Sequence, residues 1–67
     1  MSDTDDRILA YIREYIDEHG WAPSYEEIRA DLGLRSKQTV HRHLHELAAA
    51  GRLRIGGGAR MIALPRA

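Results

Sequence analysis

Apolar residues in the first third of the chain recur at the helical period. Ile8, Leu9, Ile12 and Ile16 fall on one stripe with Tyr15 on its flank, which predicts a helix over about 4–18. Asp5 and Asp6 occupy its first turn, where the helix dipole favours acids, and Gly20 closes the far end after His19. Ser24 and Glu27 then have capping-box spacing, and Pro23 blocks any helical run-in from Trp21. A second helix over about 25–32 buries Ile28 and Leu32, and Gly33 ends it in a left-handed cap. Ser36 opens a third helix over about 37–50, which buries Val40, Leu44 and Leu47 and stops at Gly51. Beyond Gly51 the period changes to two: Arg52-Leu53-Arg54-Ile55 alternates, and Ile62 and Leu64 share a face. Two short strands are therefore expected at about 52–55 and 61–64, joined by Gly56-Gly57-Gly58-Ala59-Arg60.

A short helix, a glycine-containing turn and a longer helix make a helix-turn-helix signature, and the hairpin after it supplies a wing. The fold class is mainly α with a small β-hairpin, a three-helix winged helix-turn-helix filling 1–67 as one domain. Such a unit places its second helix in the major groove of DNA.

Composition narrows the remaining options. A chain of 67 residues has a core too small to enclose an ordinary substrate pocket, and without cysteine there is no disulfide framework. The start Met-Ser-Asp-Thr-Asp-Asp lacks a basic signal region, and no apolar run is long enough for a membrane span. A cytoplasmic protein that is not an enzyme is expected, with no cofactor and no small-molecule ligand. The ten bases balance the ten acids, yet their distribution is lopsided. Residues 1–34 carry nine acids against Arg7, Arg13 and Arg29, whereas 35–67 carry seven bases against Glu46 alone. That dipole would lead with its C-terminal half toward a polyanion.

With Val40 as the inward direction and about 100° per residue, Leu44 and Leu47 lie within about 40° of it. Gln38, Arg42 and His45 then point roughly opposite, at angles of about 140–160°, with His41 and Thr39 near 100° on either side. Gln pairs with adenine, Arg with guanine, and the Thr methyl meets the thymine methyl. Ser36 and Lys37 at the helix start suit phosphates. His41, His43 and His45 invite a metal hypothesis, but structural zinc wants four ligands, usually with Cys. No metal is expected, and His43, at about −60° on the border of the apolar stripe, reads as half-buried. The glycine run lacks the Gly-Lys-Ser/Thr ending of a phosphate loop. The Asp-rich start is a helix N-terminus with a solvated face, not a cation loop. Tyr11, Tyr15, Tyr25 and Trp21 read as core and rim.

From about Ile8 to Leu64 the chain resembles the N-terminal DNA-binding domain of the LexA repressor family. The resemblance is carried by Gly20-x-x-Pro23-Ser24-x-x-Glu27-Ile28, Leu32-Gly33, Ser36-x-x-Thr39-Val40-His41-x-His43-Leu44-x-x-Leu47 and Gly51. It implies a repressor of the SOS response that reads a palindromic operator in double-stranded DNA, with a second copy on the other half-site. It also implies base-reading roles for Ser36, Gln38, Thr39, His41 and Arg42. Phosphate contacts are expected from Arg35, Lys37, His45, Arg52, Arg54 and Arg60. LexA proteins continue into a self-cleaving peptidase domain with a Ser/Lys dyad that also dimerises them. Those features are expected to be absent from these 67 residues, which read as an excised domain or a stand-alone relative. Ala50-Gly51 resembles the bond such proteins cut, but reads here as a helix end. The alternative is a winged-helix interaction module that modulates another regulator without reading DNA, using the acidic first helix and Trp21.

Overall fold

The computed structural model describes residues 3–56 and 62–64. Three helices, α1 (Asp3–His19), α2 (Tyr25–Leu32) and α3 (Lys37–Ala49), precede two strands, β1 (Arg54–Ile55) and β2 (Ile62–Ala63). The strands pair antiparallel, with Arg54 opposite Ala63 and Ile55 opposite Ile62. This is a three-helix winged helix-turn-helix, as the periodicity predicts. Met61 and the tip of the wing lie outside the described residues.

Each apolar stripe meets the others in one core. Ile8, Leu9 and Ile12 of α1 pack with Ile28 of α2 and Val40, Leu44 and Leu47 of α3. The wing closes one end of that core with Leu53 and Ile62. Ile16, Leu32, Ile55 and Leu64 lie half-buried around it. Ser24 caps α2 with the expected reciprocal pair. Its Oγ accepts the Glu27 N–H at 3.1 Å, and Glu27 Oε1 accepts the Ser24 N–H at 2.8 Å.

The glycines after the two helices of the helix-turn-helix end them in the same way. Gly33 and Gly51 have φ of 66° and 74°, a region that residues with a Cβ enter at a cost. After each, the next N–H turns back into the helix: Leu34 donates to the Arg29 carbonyl and Arg52 to the Leu47 carbonyl, both at 2.9 Å. The second of these bonds commits the Arg52 N–H to the helix end, and the first strand, expected from Arg52, pairs at Arg54 and Ile55.

One expectation needs correction. The Asp-rich start is not wholly a solvated face, because Asp5 is only 4% exposed. Its Oδ1 lies 2.6 Å from His43 Nδ1, a hydrogen bond that joins the first turn of α1 to the middle of α3. The acid serves a tertiary contact as well as the helix dipole.

Candidate nucleic-acid interface

The start of α3 is set by Ser36 in an extended conformation, with φ −157° and ψ 164°. Its Oγ accepts the Thr39 N–H at 3.2 Å and lies 3.2 Å from Thr39 Oγ1. The turn before it is braced by α2. Arg29 donates through Nε and NH2 to the two Glu26 carboxylate oxygens at 2.8 and 2.6 Å, and through NH1 to the Leu34 carbonyl at 3.5 Å. The Arg29 guanidinium holds the Glu26 carboxyl below its ordinary range, with Lys37 adding to the effect, and Glu26 in turn raises Arg29.

With Val40, Leu44 and Leu47 fully buried, the opposite side of α3 has to face outward. Gln38, His41, Arg42 and His45 are exposed there, while Ser36 and Thr39 are half-buried. All six line one shallow hollow of about 650 Å³, together with Glu46. The five candidate base-reading residues, Ser36, Gln38, Thr39, His41 and Arg42, are thus brought together on one surface. Ser36 and Thr39 differ from the others because their hydroxyls already meet each other at the cap. Arg35, Lys37, Arg52 and Arg54 are exposed, and Arg60 lies outside the described residues.

Three residues of this region escape the sequence reading. Glu46 sits at about −120° from Val40 on the helical period, an outward direction that would have placed it beside Arg42. Arg29 reaches the Leu34 carbonyl in the turn while paired with Glu26 three residues before it, a spacing common on helix surfaces. Asp5 lies 38 residues from His43, and nothing local signals that pair.

Two imidazoles lie side by side in the hollow. The rings of His41 and His45 have centroids 4.1 Å apart, and Tyr25 approaches His41 at 6.1 Å. A capped helix with a polar, partly cationic outer face, an apolar inner face and a wing beside it has the shape that fits a DNA major groove. The model of the LexA DNA binding domain matches residues 1–61.

The chain belongs to the LexA DNA-binding domain family. It is 52% identical over 52 residues to LexA repressor 1 of Nocardia farcinica, covering 78% of this chain and 24% of that protein. It is 41% identical over 51 residues to the LexA repressor of Syntrophobacter fumaroxidans, covering 76% of this chain and 25% of the relative. With the LexA repressor of Marinobacter nauticus it shares 42% over 62 residues, covering 91% and 31% of the two chains. The chain therefore spans about a quarter to a third of the length of these curated relatives. Among the described residues, no helix is long and apolar enough to cross a membrane.

Proposed function

We propose that this chain is the operator-binding part of a LexA-like transcriptional repressor and reads double-stranded DNA with α3. The observation that carries this reading is the hollow on the outer face of α3. Gln38, Thr39, His41 and Arg42 share it near the helix start, the end of a recognition helix that meets base edges. Ser36 closes the helix beneath them, and the free N–H groups of the first turn favour a phosphate. Arg35, Lys37, His45, Arg52 and Arg54 are exposed and are assigned the phosphate contacts, with Arg60 as a further one. The operator is a palindrome read by two copies, one per half-site. The apolar stripes of a chain this small are consumed by its own core, so the second copy joins through proximity on the DNA.

The test is an electrophoretic mobility assay over a range of salt, with the site chosen by selection from random sequences. If four to six bases meet phosphates, log K against log salt falls with a slope of roughly −4 to −5 per protomer. A preferred palindromic site and that slope support the reading; a flat salt profile with no preferred site overturns it.

A second reading is favoured by one observation. Trp21 is 55% exposed at the end of a row of rings in which Tyr11, Tyr15, His19 and Trp21 follow one another at 6.0, 4.2 and 6.0 Å. Such a row suits a protein partner, and the absence of any shift at low salt in the same assay would favour it.

A further inference from the structure

We propose that His41 and His45 form a two-point site for a borderline transition cation such as Zn²⁺, Ni²⁺ or Cu²⁺, and that this cation and the operator exclude each other on α3. The exclusion rests on the DNA reading above; the cation site does not. Residues four apart lie one above the other on a helix, and here the two rings already stand with centroids 4.1 Å apart, tilted by 48°. Both side chains are exposed. Among the described residues, neither ring has a hydrogen-bond partner, so a cation displaces only water. The helix holds the second imidazole beside the first, which gives it a high effective concentration once one ring has bound.

Imidazole pairs select for zinc, nickel and copper, whereas magnesium and calcium want oxygen ligands. Two nitrogen ligands leave at least two positions for water, an open site unlike a closed structural one. Arg42 on the same surface repels a cation, which weakens the site without removing the chelate. The third histidine of the helix is a poorer candidate. Asp5, His43 and Glu46 do gather ligand atoms within 4.8 Å of one another. However, Asp5 Oδ1 and His43 Nδ1 are only 2.6 Å apart. Two ligands at bond lengths of about 2.0–2.1 Å on one tetrahedral cation stand roughly 3.3 Å apart, so that bridge would have to open first.

A hydrated cation on His41 and His45 occupies the hollow shared with Gln38 and Arg42 and holds base edges away from them. Its charge still attracts phosphates. Occupancy is therefore expected to erode preference for the selected site more than binding to random DNA.

The first measurement uses the whole chain without DNA. Calorimetric titration with Zn²⁺ is expected to show one site, weakened about tenfold or more in His41→Gln and in His45→Gln, with no comparable binding of Mg²⁺. Amide spectra recorded with Ni²⁺ should broaden around residues 41–45. Unchanged affinity in both variants, equal binding of Mg²⁺, or broadening strongest at Asp5 in the first turn of α1 would each overturn the site. The second measurement compares the selected DNA with saturating Zn²⁺ and with a chelator. Loss of site preference with Zn²⁺, recovery with chelator, and insensitivity of His45→Gln relative to its own metal-free affinity support the exclusion. Site preference unchanged by saturating Zn²⁺ overturns the exclusion alone. Failure of the metal-free chain to bind any DNA overturns the repressor reading and the exclusion with it.

Discussion

Replacing Asp5 with alanine is expected to cost this domain much of its stability, although the residue lies in the first turn of a helix. The Asp5 and His43 side chains are 5% and 13% exposed, and the bond between them is 2.6 Å. A hydrogen bond involving a charged group contributes about 1.5–3 kcal/mol net. Removing one partner of a fully buried pair can cost about 3–5 kcal/mol, because the other is left uncompensated. His43 keeps some access to water and can partly rehydrate, so about 2–3 kcal/mol is the reasonable range for Asp5→Ala. The loss of an acid from the first turn adds a few tenths to about 1 kcal/mol. A domain of this size holds only about 3–5 kcal/mol in total, so the variant should sit close to its unfolding threshold. Its melting temperature should fall by roughly 10–20 °C in calorimetry. A double-mutant cycle with His43→Ala isolates the bond and should give a coupling of about 1.5–3 kcal/mol. Additive losses, with coupling within about 0.5 kcal/mol of zero, would refute the claim that α1 is tied to α3 through this pair.

Other perturbations probe different parts of the molecule. Gly33→Ala should cost about 1–2 kcal/mol in denaturant titration: a Cβ there meets nothing within 4 Å, so the cost is conformational, from φ of 66°. A neutral substitution would mean that the turn after α2 relaxes freely. Burial, the hydrogen bond that Tyr11 donates to Asp31 at 2.5 Å and the nearby carboxylates raise the Tyr11 phenol above its ordinary value near 10. The folded state thus disfavours ionised Tyr11, and its contribution to stability is present below about pH 10 and declines as pH rises above it. Tyr11→Phe should flatten that alkaline decline, and an unchanged profile would count against it. On the proposed reading, Gln38→Ala or Arg42→Ala should cost about 1–3 kcal/mol on the selected site and much less on random DNA. Equal losses on both DNAs would demote these residues to phosphate contacts.

Local chemistry is what made most of this fold legible. Ser24 with Glu27, Gly33 and Gly51 each mark a helix end through atoms a few residues away, and all three stand where that chemistry requires. The outward direction of Gln38, His41, Arg42 and His45 followed from the burial of Val40, Leu44 and Leu47, because one period fixes both faces. What stayed hidden was non-local. Asp5 in a first turn is already accounted for by the helix dipole, so nothing asked for a second explanation. The half-burial of His43 could be inferred from its angle, but its partner could not. The extent of β1 was hidden too: Arg52 alternates like a strand residue, yet its N–H returns to the helix end.

The Asp5–His43 bond also bears on how a small domain could read bases at all. Apolar contacts hold α3 against the core, but they are not directional, and a helix on an apolar stripe can roll. Side-chain positions lie about 5–6 Å from the helix axis, so a roll of about 20° moves them by roughly 2 Å. Productive recognition geometry tolerates only about 0.5 Å or 10–20°. Among the described residues, directional hydrogen bonds act on α3 at three places: the Ser36 cap at its start, the Arg52 N–H returning to Leu47 at its end, and the Asp5–His43 bond between them. The first two fix where the helix begins and stops; among these hydrogen bonds the third grips its side and opposes rolling. Asp5 does not line the hollow, yet on the proposed reading its loss should blur base discrimination. The measurement is the ratio of affinities for selected and random DNA with Asp5→Ala, at a temperature where the variant remains folded. A ratio that falls while random-DNA binding holds means that the bond sets the aim of Gln38 and Arg42. An unchanged ratio in the folded variant would mean that packing alone fixes the helix, and that the bond contributes stability without specificity.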